Sequence, residues 1–304
     1  MRYLFGPVPS RRLGSSLGVD LVPYKTCSFD CVYCQLGKTT KKTTKRIEYV
    51  PFKEVLSEIE DYINAGGSCD YITLSGSGEP TLNSCLGEII DAIKSLTDIP
   101  VAVLTNSSLL GDDVIRRELA GADLLVPSLD AATQGVFEQV NRPCPGIDIE
   151  DIIGGLVEMR KILDGLMWLE VLLVAGVNDK PGEVDALKDA IEAIKPDRIQ
   201  LNTVIRPPAE SYAKPVSEER MGKIAAVLGA ELVQASNIEF TYSYKRDVEE
   251  SILDLLGRRP CTLGDLSVCL GLHVNEVVKY LQELMKNKKI ESISSGGGRY
   301  YRRA

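Results

Sequence analysis

Cys27, Cys31 and Cys34 stand in the segment Lys25-Thr-Cys-Ser-Phe-Asp-Cys-Val-Tyr-Cys-Gln35 with the spacing C-x3-C-x2-C. Thiolates packed this closely bind soft metals. A closed structural zinc site takes four Cys or His ligands. The one histidine, His273, lies far down the chain and reads as a capping or surface residue. Cys69, Cys85, Cys144, Cys261 and Cys269 form no second array. With three ligands and no fourth in view, the array suits an iron–sulfur cube that keeps one iron open to bind and activate another molecule.

The elements that must carry this loop alternate between strand and helix patterns. Apolar runs at 17–22, 70–75, 101–105, 123–129, 167–175 and 198–204 read as strands. Helical spacing covers 51–66, 83–96, 112–120, 133–140, 148–164, 182–194 and 217–228. The result is six β-α units, which require parallel strands and right-handed crossovers. Runs such as Leu172-Leu-Val174 suit strands buried on both faces. Periodicity alone admits a curved, partly open barrel or a flat doubly wound sheet. Either one gathers ligands at the C-terminal strand ends.

Polar residues fall at those ends. The first strand leads into the cysteines. The others end in Ser75-Gly-Ser-Gly-Glu-Pro-Thr81, Thr105-Asn106, Ser128-Leu-Asp130, Ala175-Gly-Val-Asn-Asp179 and Asn202-Thr-Val-Ile-Arg206. Gly, Asn and Asp also serve turns, yet six polar ends on one rim point to a shared site. Residues 1–18 read as an irregular lead-in, and Lys38–Arg46 as a polar basic loop.

The chain divides into 1–236 and 237–304. Residues 237–245 read as a linker strand. Beyond it, Thr262 is placed to cap a helix that Gly271 stops, and Val274, Val277, Val278, Leu281, Leu284 and Met285 mark another. Three short helices followed by a strand, a Gly-rich turn and a strand match a winged helix-turn-helix. The expected architecture is α/β, a partial (β/α)6 barrel with this small C-terminal domain.

Charge is uneven within a net −8. Residues 1–46 hold nine Lys/Arg against two acids, and 286–303 hold six against one. Separated basic strips of this kind can steer a polyanion. The cysteines lack the spacing of a secreted disulfide framework, the start lacks a signal peptide, and no run approaches a membrane span, so a cytoplasmic chain is expected.

Cys27-x3-Cys31-x-Tyr33-Cys34, followed by Gly78-Glu79-Pro80, resembles the radical S-adenosylmethionine (SAM) superfamily over residues 15–230. The resemblance implies a [4Fe-4S] cluster on the three cysteines, with SAM chelating the open iron. One electron then cleaves the sulfonium, and the 5′-deoxyadenosyl radical abstracts hydrogen from a substrate. It also implies that Gly78-Glu79-Pro80 meets the methionine amino group, with Glu79 as its partner. Ser128 and Asp130 would meet the ribose with Asn106 nearby, the 175–179 run would line the adenine, and Tyr33 would pack beside it. Arg142 is a candidate for the cofactor carboxylate. Phe5-Gly-Pro-Val-Pro-Ser-Arg-Arg-Leu-Gly14 and Cys31-Val-Tyr-Cys-Gln35 look most like iron–sulfur oxidoreductases related to wyosine (tRNA) biosynthesis enzymes. The additional upstream cysteine triad of archaeal members is absent, since the first cysteine is Cys27. The substrates in view are RNA or tRNA met by the basic strips, or a peptide or protein gripped by the winged module. A reduced flavodoxin or ferredoxin would supply electrons. A non-enzymatic DNA-binding iron–sulfur sensor is the remaining reading, and it leaves the polar rim unused.

Overall fold

The computed structural model describes residues 2–10, 12–233, 248–296 and 298–304. The chain opens with β1 (Leu4–Ser10) and β2 (Gly14–Val19), followed by two short strands, β3 (Thr26–Cys27) and β4 (Lys41–Lys42). Next come α1 (Phe52–Asn64), β5 (Tyr71–Leu74), α2 (Leu86–Leu96), β6 (Val101–Thr105), α3 (Asp113–Leu119) and β7 (Leu124–Pro127). Then follow α4 (Gln134–Val140), α5 (Ile149–Ile162), β8 (Leu166–Leu173), α6 (Pro181–Ile194), β9 (Arg198–Thr203), α7 (Glu218–Leu228) and β10 (Glu231–Leu232). A C-terminal module holds α8 (Val248–Arg258), β11 (Cys261–Thr262), α9 (Leu263–Leu270), α10 (Val274–Lys286), β12 (Ile290–Ser295) and β13 (Gly298–Arg303).

One mixed sheet has the order β1-β2-β5-β6-β7-β8-β9-β10. From β2 onward every neighbour is parallel, so the β-α alternation of the sequence is the fold. The helices seat their apolar stripes on it. Val55, Ile59 and Tyr62 of α1 and Ile89, Ile90 and Ile93 of α2 join one core with Ile72, Val103, Leu125 and Leu169 of the strands. Among the described residues no helix is long and apolar enough to cross a membrane.

The amino terminus departs from expectation. Residues 4–19 form an antiparallel hairpin rather than an irregular lead-in, and β2 ends at Val19 rather than Val22. Pro7 and Pro9 hide this strand in the sequence. They are tolerated because β1 is the sheet's edge, where a missing N–H costs no ladder bond. The hairpin turn folds over one face of the sheet. Leu13 is buried with Ala102, Leu124, Val126 and Trp168, and Arg12 is ion-paired with Glu170 of β8.

The helix expected from residue 83 begins at Leu86. Pro80–Leu82 is a 3-10 turn, and the Asn83 side chain is engaged, Nδ2 donating to Leu21 O at 2.9 Å and Oδ1 accepting from Cys85 N at 2.8 Å. In the C-terminal module Thr262 caps α9 in a capping box with Asp265, Gly271 stops it in the left-handed conformation, and His273 caps α10. The linker strand expected over 237–245 lies outside the described residues. The module is not remote from the sheet: Val8 of β1 is buried with Ile252, Leu255, Leu256, Leu266 and Leu270.

Candidate functional site

The cysteine loop is held on three sides. Thr26–Cys27 pairs in parallel with Lys41–Lys42. Asp30 N donates to Asn141 O at 3.0 Å, Val32 N to Val140 O at 2.9 Å, and Cys144 N to Ser28 O at 2.9 Å, which ties the loop to the end of α4. Lys25 N donates to Ser77 O at 2.7 Å and Glu79 N to Thr26 O at 3.1 Å, which ties it to the loop after β5. That last approach needs a glycine. A Cβ on Gly78 would lie 1.9 Å from Thr26 O and 2.8 Å from Val22 Cγ2.

The sulfur atoms take hydrogen bonds from the end of β6, from the end of α4 and from their own loop. Cys27 Sγ accepts from Asn106 Nδ2 at 3.4 Å and from Phe29 N at 3.5 Å, and Cys31 Sγ accepts from Asn141 Nδ2 at 3.4 Å. Burial pushes all three thiols up, Cys27 to about 12. Free, they keep their protons; iron takes the place of those protons, and N–H donors to sulfur then temper the thiolate charge. Three confined thiols with amide donors aimed at two of them fit a cluster.

Glu79 is buried, and its own chain absorbs it. Oε1 accepts from Thr81 N at 3.1 Å, Thr81 Oγ1 at 2.7 Å and Thr105 Oγ1 at 2.7 Å, and Oε2 accepts from Asn106 N at 2.7 Å. Burial raises its pKa and these donors pull against it. The carboxylate therefore pins the end of β6 to the loop after β5, with Pro80 buried next to it. Asp130 is a second hub. Its Oδ2 accepts from Tyr33 Oη and from Asn141 Nδ2 at 2.7 Å, its Oδ1 from Leu172 N at 2.9 Å, and its carbonyl from Asn178 Nδ2 at 2.7 Å. Burial raises Asp130 to about 6.

Sequence-derived candidates thus meet, though with divided roles. Cys27, Cys31, Cys34, Tyr33, Gly78, Glu79, Pro80, Asn106, Ser128 and Asp130 lie in adjoining loops at the strand ends. Glu79 and Asp130 direct their oxygens to the protein. Ser128 accepts at its carbonyl from Ser107 Oγ at 2.9 Å, while its hydroxyl has no partner among the described residues. Asn178 is buried and braces Asp130. Arg142, a candidate for the cofactor carboxylate, is engaged by Glu210 at 2.7 Å and by Tyr212 Oη at 2.9 Å. Sequence reasoning names Thr81 and Thr105 only as members of polar strand ends, without a role, and passes over Asn141. The hydroxyls look like ordinary turn residues, whereas the signal for Asn141 is its place beside the candidate Arg142 in Asn141-Arg-Pro143.

The radical SAM superfamily model matches residues 21–190. This chain belongs to the radical SAM superfamily. The radical SAM chain is 32% identical to a UPF0026 protein of Helicobacter pylori over 98% of its own length and 96% of that protein's. It is 37% identical to a protein described as GTPase Obg from Brachyspira hyodysenteriae over 97% of its length, and spans 44% of that protein. A radical SAM methyltransferase from Sphaerobacter thermophilus shares the fold, with a TM-score of 0.54 at 18% identity over 71% of this chain and 65% of the other. The protein is a radical SAM enzyme, and its cofactors are a [4Fe-4S] cluster and SAM.

Proposed function

We propose that this enzyme abstracts a hydrogen atom from an RNA substrate, with a tRNA the form suggested by its resemblance to wyosine-type enzymes. When bound, the cluster and SAM supply one-electron cleavage of the sulfonium and a 5′-deoxyadenosyl radical. Cys27, Cys31 and Cys34 hold the cluster. The Gly78–Pro80 backbone, Asn106 and the Ser128 hydroxyl face the cofactor, while Glu79 and Asp130 hold those loops in place. Tyr33 forms part of the wall. In this reading residues 1–236 make a partial (β/α)6 barrel, and 237–304 a linker strand and a winged helix-turn-helix. A reduced flavodoxin or ferredoxin donates the electron.

The observation that favours RNA is the exposed row Lys38, Lys41, Lys42 and Lys45 beside the cysteine loop, in which Lys38 is ion-paired with Glu210 and Lys42 donates to the carbonyls of Arg142 and Pro143. Other bases are more deeply held. Arg46 binds Glu118 and the carbonyls of Thr81 and Asn83, Arg302 binds Glu291, and Tyr301 is buried. Lysines on a cluster-side rim suit phosphates, with binding that weakens steeply as salt rises. Two measurements test the reading. Anaerobic chain loaded with cluster and given dithionite and SAM should release 5′-deoxyadenosine. Its affinity for tRNA should fall with salt, and Lys41→Ala with Lys42→Ala should lower that slope by roughly 0.7–0.9 for each phosphate no longer neutralised. Salt-independent binding removes RNA from consideration.

A peptide substrate is the second reading. In the order β11-β13-β12 the outer edge of β12 is unpaired among the described residues, open to strand addition. The exposed positions of α10, among them Asn275, Glu276, Lys279, Glu283 and Lys286, are mixed in charge, unlike a major-groove reader.

A further inference from the structure

The seam between the C-terminal module and the strand ends holds two guanidiniums with no acid paired to them among the described residues. Arg206 follows β9, and its Nη1 donates to Gln35 Oε1 at 3.2 Å; Gln35 directly follows Cys34. Arg259 follows α8, and its Nη2 reaches Cys269 Sγ at 3.7 Å. Both are half-buried, so solvent reaches them. Tyr300 links their surroundings: its Oη donates to Ile205 O, next to Arg206, and it pairs with Thr262 on the strand that follows Arg259. Burial first, and then the Arg259 charge, draws Arg206 below the usual guanidinium range. Among the described residues no Asp or Glu oxygen lies within 4.0 Å of either.

No acid among the described residues forms an ion pair with them; at Arg259 burial lowers the pKa, and the Cys261, Cys269 and Asp265 charges act against it and raise it overall. Burial pushes the Cys261 and Cys269 thiols up, which leaves neutral sulfur beside the pair. Asp265 is the acid whose charge both feel, yet its Oδ2 already accepts Thr262 N at 2.9 Å in the α9 capping box. Tyr300 donates to Ile205 O at 2.9 Å and closes one side of the seam. Four other partly buried arginines are matched with acids, Arg12 with Glu170, Arg46 with Glu118, Arg142 with Glu210 and Arg258 with Asp20, while Arg116 instead donates to the carbonyls of Leu110 and Gly111. Two such cations that lose hydration without gaining an acid are costly, and an incoming anion offsets both terms.

We propose that Arg206, Arg259 and the Gln35 amide form a docking site for one oxyanion group, a phosphate or a carboxylate, carried by the molecule that enters beside the cluster. Planar guanidiniums match the paired oxygens of either group. Gln35 Oε1 holds Arg206 and leaves its NH2 as a third donor. The seam joins the residue after Cys34 to the C-terminal module, so the module completes the site. Assigning the anion to the substrate rests on the radical SAM reading; the binding itself does not.

Calorimetric titration of the full-length, cluster-loaded chain with inorganic phosphate, and separately with acetate, tests the assignment. Saturable binding of at least one is expected, about tenfold or more weaker in Arg206→Gln and in Arg259→Gln, as loss of a charge-assisted hydrogen bond implies. Arg206→Lys and Arg259→Lys should fall between, since they keep the charge and lose the fork. The tighter anion names the group the substrate carries. Thermal melts check each variant, and if Arg206→Gln does not fold, Arg206→Lys and Arg259→Gln carry the comparison. Absence of saturable binding for both anions at millimolar concentrations overturns the site, as does unchanged binding in the variants that fold. Release of 5′-deoxyadenosine by the unaltered chain, measured in parallel, reports on the radical reading alone, so the two ideas fail separately.

Discussion

Cys27 takes a side-chain amide from the end of β6 and Cys31 one from the end of α4, and this separates them from the other thiols among the described residues. Cys69 and Cys85 are half-buried like the array cysteines but take no side-chain amide among the described residues, and Cys144 is buried beside the loop whose backbone it helps to fasten. Replacing Cys27, Cys31 or Cys34 with Ala should leave almost no iron or acid-labile sulfide after reconstitution, whereas Cys69→Ser and Cys85→Ser should load as the parent does. Asp130 gives a second test at this scale. Its carboxyl rises from 3.8 to about 6 on folding because burial outweighs the hydrogen bonds from Tyr33 and Asn141. A folded state that holds its proton more tightly is favoured at low pH. This contribution is complete below 3.8 and lost as pH rises through about 6. Thermal melts of the metal-free chain across that window should show a flatter pH dependence for Asp130→Asn. Parallel profiles for the two chains would remove the carboxyl from the account.

At the scale of elements, the strand ends cohere because side chains from one loop finish the next. Glu79 closes β6 onto the loop after β5, Asp130 closes β7 and β8 onto Tyr33, and Arg46 closes the basic loop onto Thr81 and Asn83. Gly78 is where this is least tolerant. A methyl there would overlap backbone, and backbone cannot swing aside as a long side chain does. Gly78→Ala should therefore displace the Thr26–Cys27 segment and reduce iron loading several-fold while α1, α2 and the sheet persist. Iron content set beside far-UV circular dichroism distinguishes this from global unfolding. The same cohesion explains what the sequence reveals. Periodicity exposes each β-α unit because burial demands it, and the cysteine spacing exposes the metal loop because ligands close in sequence need little help from the fold. The β1–β2 hairpin is hidden because its edge position excuses two prolines that would break a central strand. The inward role of Glu79 is hidden because two of its four donors, Thr105 Oγ1 and Asn106 N, come from the end of another strand. The Arg206–Arg259 seam is hidden for a similar reason, since its members are brought together only by the seating of the C-terminal module.

At the scale of the molecule, the C-terminal module touches both margins of the sheet. Val8 of the edge strand β1 is buried in its core, and Tyr300 bonds to Ile205 beyond β9. The tie to the cofactor side is Arg258. It is ion-paired with Asp20 and stands 4.4 Å from the centre of the Phe5 ring, and Asp20 Oδ1 accepts Ser77 N at 2.6 Å in the loop that leads to Gly78. Burial draws Arg258 down to about 10, so the pair depends on Asp20 to offset the loss of water. Removing one partner of a buried pair typically costs about 3–5 kcal/mol because the other charge stays behind. Arg258→Gln leaves Asp20 buried with only its bond to Ser77, so the loss should fall on the join between module and sheet. Urea unfolding reads this directly. Trp168, the single tryptophan, reports on the sheet, while circular dichroism weights all helices, including α8, α9 and α10. The parent chain should show coincident transitions by both probes. In Arg258→Gln part of the helical signal should disappear before the Trp168 signal, with a weaker response to SAM because the Ser77–Gly78 loop has lost its anchor. Transitions that remain coincident at an unchanged midpoint would show that the module is held by its apolar packing alone, and that Asp20 fixes the loop without help from it.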